Sequence, residues 1–120
     1  MMNKLSILQN ASALMRHAAA RHNVIAENIA KADLPGYKAR ALPAFDVEAV
    51  ERARQGDRSE MARMHRAAEI PGLTSAPNGN TVQLDEQMAR AADAQAQHGA
   101  ALAIYRQTLD LLRSAGNTRI

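Results

Sequence analysis

The residues best suited to chemistry in this chain are its histidines, and two of them, His22 and His98, fall on the apolar seams of two long amphipathic segments. A facing pair of imidazoles is the beginning of a zinc site or a pH switch. Neither has a second ligand four residues away on its own helix face. His17 precedes His22 by five, and the nearest charge downstream of His98 is Arg106. Both are therefore read as polar seam positions that help set helix register. Carboxylates such as Glu27 and Asp33 belong to no phosphate-binding glycine loop, no His-Glu-x-x-His helix and no serine elbow, so no catalytic residue is expected. The chain contains no cysteine, which excludes disulfides, thiolate ligands and cysteine nucleophiles. No cofactor, metal or small-molecule substrate is expected.

Two segments position these side chains. Between Leu5 and Ala32, the residues Leu8, Ala11, Met15, Ala18, His22, Ile25, Ile29 and Ala32 alternate at spacings of three and four, with Ile7 and Leu14 widening the stripe. That is the pattern of a coiled-coil seam on a helix. A second helix is expected after Pro77-Asn78-Gly79-Asn80, where Asn80 and Gln83 have capping-box spacing and Asp85 and Glu86 fall in the first turn. Its seam reads Leu84, Met88, Ala91, Gln95, His98, Leu102, Tyr105, Leu109 and Leu112, with Gly116 as an expected C-cap. Met15 and Met88 occupy core positions of these seams, which favours packing over a specialised methionine surface.

The first helix is expected to end near Ala32 or Asp33. Leu34 precedes a proline and is driven toward extended backbone, and Pro35-Gly36 suits the central positions of a type II turn. Asn28 lies beside the seam, where it either hydrogen-bonds across a helix interface or is solvated. Tyr37 either packs its ring on a helix with its hydroxyl on a polar group or is an ordinary loop tyrosine.

Residues 37–80 are thinly apolar and alternate in charge, with breaks at Gly56-Asp57 and Pro71-Gly72 and a short helix expected within Phe45 to Arg54. Partial disorder in the free chain is expected there. The resulting organisation is residues 1–36 as helix and turn, 37–80 as an irregular middle, and 81–120 as the second helix. The fold expected is mainly α, the two terminal helices pairing as a coiled-coil-like hairpin.

Only Tyr37, Phe45 and Tyr105 are aromatic, and alanine dominates the apolar set, which suits close helix packing better than a large core. The net charge of +3 lies wholly in residues 1–32, where Lys4, Arg16, Arg21 and Lys31 face Glu27 alone. Four dispersed cations without stacking aromatics make a poor nucleic-acid footprint, so no nucleic-acid partner is expected. No continuous signal-peptide core follows Lys4, and no apolar run approaches a membrane span. A hairpin alone would leave apolar surface uncovered, which points to assembly with other subunits.

Asn28-Ile29-Ala30 with Ala32-Asp33, Pro35-Gly36-Tyr37 and Lys38-Ala39-Arg40 resembles the signature of flagellar basal-body rod proteins. Gly79-Asn80-Thr81-Val82 with Leu84-Asp85 and Met88 resembles the start of their C-terminal helix. The Ala-Asp-x-Pro-Gly-Tyr-Lys-Ala-Arg form and the short length favour the proximal, FlgB-type members. Lys31 and Leu34 stand where the family usually has asparagine and threonine. The resemblance implies a structural, non-enzymatic subunit, exported by the flagellar type III apparatus without a cleaved signal and built into the periplasmic rod. It also implies partners: copies of itself, other rod subunits, the rod-base adaptor, the export gate and the membrane-ring region. The implied subunit-interface residues are Leu8, Met15, His22, Ile25, Asn28, Ile29, Leu84, Met88, His98, Leu102, Tyr105, Leu109 and Leu112, with Asp33, Pro35, Gly36 and Tyr37 forming the signature turn. A soluble helical adaptor or secretion chaperone, or another rod or hook subunit, is the alternative.

Overall fold

The computed structural model describes residues 3–117. Asn3 caps helix α1 (Lys4–Ala30) by accepting the Ser6 N–H at 2.8 Å. The helix stops slightly short of its expected end because the chain tightens into three-residue turns: Ala32 N–H reaches Ile29 O at 3.2 Å, and Leu34 N–H reaches Lys31 O at 3.1 Å. After it come β1 (Arg40–Ala41), α2 (Val47–Arg54), α3 (Ser59–Met64), β2 (Ala68–Glu69) and α4 (Leu84–Asn117). The mainly helical fold with an irregular middle is the one expected, and α2 lies inside the segment expected to be helical.

Helices α1 and α4 run antiparallel. Asn28 meets Gln87 at one end of the pair, while Ala11 and Ala101 share the wall of an apolar groove towards the other. α4 has 34 residues against 27 in α1, so it overhangs by about 10 Å at ~1.5 Å per residue. It also continues through Gly116, which is a helix residue and not the expected C-cap. A glycine inside an exposed helix costs only about 1 kcal/mol relative to alanine, too little to force a stop.

The contact face is half the expected one. Ala11, Ala18 and Ile25 are buried as the seam predicts, and Ala91, His98, Tyr105 and Leu112 are half-buried on α4. The other row of each seam is displaced by one residue, or about 100° around the helix. On α1 the partner-facing row is Ile7, Leu14, Arg21 and Asn28, and on α4 it is Gln87, Ala94, Ala101 and Thr108. Leu8, Met15, Leu102 and Leu109 therefore sit half-buried on the flank, while His22, Ile29, Leu84, Met88 and Gln95 are exposed. The cause is size and hydrogen bonding: the inward rows carry alanines, and Asn28 and Gln87, turned inward, hydrogen-bond each other.

The middle is irregular yet anchored. Phe45 and Met61 pack on a cluster of Ala13, Ala49, Val50 and Met64, which holds α2 and α3 against α1. Core methionines are thus Met61 and Met64, whereas Met88 is 64% exposed. Arg52 ties α2 to α3 through Glu60, with Asp46 at 3.6 Å and Glu48 at 3.8 Å adding to its carboxylate shell.

Ala101 tests the small-residue contact directly, since it is 0% exposed. A101L adds three carbons at a fully buried position and is expected to cost about 1–3 kcal/mol by overpacking. A thermal melt followed by circular dichroism should show the midpoint falling by roughly 4–12 °C.

Candidate functional site at the closed end of the hairpin

The two segments that carry the family resemblance, 28–40 and 79–88, lie far apart in sequence and meet at the closed end of the hairpin. Their meeting begins with the turn. Tyr37 N–H closes on Leu34 O at 3.2 Å, and Gly36 has φ +76°, which the second central position of a type II turn requires. Gly36 N–H then donates to Asn78 O at 2.9 Å. A second glycine is called for by the backbone at Gly79, whose φ is +85°, while a Cβ there would make an ordinary 3.4 Å contact with Gly36 Cα.

From the turn, the chain runs on as a bridging ribbon. Thr81 N–H donates to Tyr37 O at 3.0 Å, and Thr81 Oγ1 accepts the Ala39 N–H at 2.8 Å. Lys38 Nζ donates to Gly79 O at 2.8 Å, and Ile70 N–H to Ala39 O at 3.0 Å. Beyond it, Arg40 and Ala41 pair antiparallel with Glu69 and Ala68.

Asn28 is the hub of this junction. Its side chain is 0% exposed, and its amide donates to Arg40 O at 2.8 Å and to Gln87 Oε1 at 3.0 Å. Its carbonyl accepts from Tyr37 Oη at 2.9 Å and from Arg40 N–H at 3.1 Å. Two donors and two acceptors saturate the amide, which is the condition for burying it at low cost. Burial, and secondarily the Glu27 carboxylate, pushes the Tyr37 phenol above its ordinary pKa, keeping it the neutral donor that Asn28 needs. Of the two readings of Asn28, hydrogen bonding across a helix interface is the one seen, and the helix it reaches is α4 of the same chain.

Asn80 closes the junction from the other side, and its role differs from the expected cap. Helix α4 starts at Leu84, with its first bond from Gln87 N–H to Gln83 O at 3.0 Å. The Asn80 amide donates instead to Lys31 O at 2.9 Å and Leu34 O at 2.8 Å, while its carbonyl accepts the Val82 N–H at 2.7 Å. It thereby gives a second hydrogen bond to two carbonyls just past the end of α1, which already accept the Leu34 and Tyr37 N–H groups. The departures from the family pattern, Lys31 and Leu34, contribute these backbone oxygens whatever their side chains. Lys31 pairs on the surface with Glu27 at 3.1 Å and lies 5.4 Å from the Tyr37 ring centre, and the Leu34 side chain is exposed. Asp33 and Pro35 are exposed as well.

His17 is buried midway along the hairpin, at 1% exposure. Nε2 lies 2.9 Å from Pro43 O, and the ring centre is 5.6 Å from that of Phe45 and 5.7 Å from that of His65. Burial, followed by the charges of His65 and Arg21, lowers its pKa despite the Pro43 hydrogen bond. Periodicity drew attention to His22 and not to this residue. The available signal was that His17 lies in phase with Asn10 and Val24 on the same face. His22 and His98 line a shallow cleft of about 340 Å³ with Asn23 and Gln95. Among the described residues no group of three or more His, Asp or Glu is placed to hold a metal, and no helix is long and apolar enough to cross a membrane.

No protein-family model matches the chain, and no curated protein matches it either.

Proposed function

We propose that this protein is a structural subunit of the bacterial flagellar basal-body rod, of the proximal FlgB type, acting by assembly through α1 and α4 and without catalysis. The signature residues supply the family, and the observation that carries the reading is the uncovered apolar surface of the hairpin. Leu5, Ile29, Leu34, Val47, Leu84, Met88, Ile104 and Leu111 are all exposed large apolar side chains. The surface area is 7877 Å², against about 6300 Å² for a compact chain of this mass. The radius of gyration is 18.1 Å, against about 13.6 Å for a compact chain of this length. A thin, elongated hairpin of this kind gains by burying its flanks on neighbours. In the rod these would be copies of itself, other rod subunits, the rod-base adaptor, and the export-gate and membrane-ring region. A small core also suits export as an unfolded chain through the flagellar type III apparatus, followed by ordering on docking in the periplasmic rod.

The hydrogen-bonded junction favours the rival, a soluble helical adaptor or secretion chaperone whose hairpin is stable alone. Hydrogen exchange separates the two. The rod reading expects weak protection of residues 5–32 and 84–112 in the isolated monomer and strong protection once the chain is assembled into rods. Strong protection in the monomer, unchanged on mixing with rod subunits, would favour the adaptor.

A further inference from the structure

The cavity between α1, the β1 segment and α4 carries a second inference. It encloses about 300 Å³, and its wall includes three arginines from three elements: Arg21 of α1, Arg40 of β1 and Arg90 of α4. His17 and Gln97 complete its polar lining, and no carboxylate lines it. We propose that this cavity is an oxyanion site, taking a phosphate or carboxylate group between Arg21, Arg40 and Arg90 beside His17.

Three observations support it. Arg90 is held by Glu86 through Nε at 3.0 Å and Nη2 at 2.8 Å, and Arg40 by Ala67 O at 2.9 Å, so two guanidiniums are fixed in place while keeping unused donors. Glu86 offsets one positive charge, and the cavity wall keeps an excess of cation. Third, His17 Nδ1, a buried atom of a lining residue, has no partner within hydrogen-bond limits among the described residues, the Met64 backbone favouring the charged ring without closing such a bond.

The chemistry of His17 follows from its contacts. With Nε2–H donating to Pro43 O, Nδ1 is a bare lone pair in the neutral ring and an N–H donor in the charged ring. The groups around it are cationic or able to become so: Arg21 on its own helix, Arg40 and Arg90 across the cavity, and His65 after α3. An oxyanion would reverse that balance, favouring the charged ring and giving Nδ1–H an acceptor. The oxyanion has two possible sources, a free ion or an aspartate or glutamate side chain of a neighbouring copy.

The test is the titration of the His17 imidazole by NMR, assigned with H17Q, in wild type and R21Q. One arm adds inorganic phosphate to dilute protein, and the other raises protein concentration in phosphate-free buffer at constant ionic strength. A free-ion site raises the His17 midpoint by about one unit in the first arm, equivalent to tenfold tighter binding to the charged ring. A site filled by a neighbouring chain raises it in the second arm. In either case R21Q, whose fold is checked by circular dichroism, should lose most of the shift. No shift in either arm, or an equal shift in R21Q, would overturn the proposal.

Discussion

Replacing Asn28 by alanine is expected to lower the thermal midpoint by about 12–20 °C, the largest effect of any single truncation in this chain. Four hydrogen bonds end on that one amide, and the substitution abandons all four partners. Tyr37, half-buried, can turn its hydroxyl to water. The Arg40 peptide and Gln87 have less freedom, since Gln87 is 2% exposed and the neighbouring Ala39, 1% exposed, is tied to Thr81 and Ile70. Unsatisfied buried groups cost about 1–3 kcal/mol each, and partial relaxation brings the expected total to about 3–5 kcal/mol. N28D gives a sharper reading because it keeps the shape. The carboxylate still accepts from Tyr37 and Arg40 N–H but cannot donate to Arg40 O or Gln87. Burial raises the folded pKa of the new carboxyl above its unfolded value. Stability is therefore greatest below the unfolded pKa and is lost as pH rises through the folded one. Melts at pH 4 and pH 8 should show N28D closer to wild type at the lower pH. A midpoint for N28A within 3 °C of wild type would mean that the junction does not hold the hairpin closed.

The expected and observed structures agree where local chemistry decides and part where distant partners do. The two long helices follow from a spacing of three and four repeated over many turns, and the Leu34-Pro35-Gly36-Tyr37 turn follows from backbone constraints that need no partner. Asn80 shows the limit. Its spacing to Gln83 is that of a capping box, but its amide faces Lys31 and Leu34, residues that only the closed hairpin brings near. The same applies to the helix faces. Hydrophobicity ranks Ile29 above Asn28 and Met88 above Gln87, so the seams centre on the larger side chains. In the folded chain the ribbon at 37–41 presents backbone groups that only Asn28 and Gln87 can satisfy, and this turns both helices by one residue. A polar residue in phase with a row of alanines, as Gln87 is with Ala94 and Ala101, is the trace that this leaves in the sequence.

That rotation gives the second large prediction, because it places Leu84 and Met88, seam residues by spacing and implied subunit-interface residues, on the surface of the hairpin. They are 49% and 64% exposed, so L84E/M88E should leave the monomer's melting midpoint within about 3 °C of wild type. Glutamate is a good helix former, and in the first turns of α4 its charge lies near the positive helix end, which helps. Assembly should respond differently if these side chains are buried between subunits. Fully burying a leucine or methionine is worth about 1.5–3 kcal/mol, of which the exposed part, roughly half, remains to be gained. Losing that twice, and placing two carboxylates in the contact, amounts to about 3 kcal/mol or more, equivalent to at least a 100-fold rise in the critical concentration. Sedimentation of polymer formed over a range of protein concentrations reads this directly. A100E, at an exposed alanine outside the apolar row, supplies the comparison. An equal loss in A100E would make the effect one of general charge, and full assembly of L84E/M88E would remove this end of the hairpin from the subunit contact. Loss confined to L84E/M88E would mean that the one-residue turn which buries Asn28 and Gln87 inside the chain also frees Leu84 and Met88 for the neighbour.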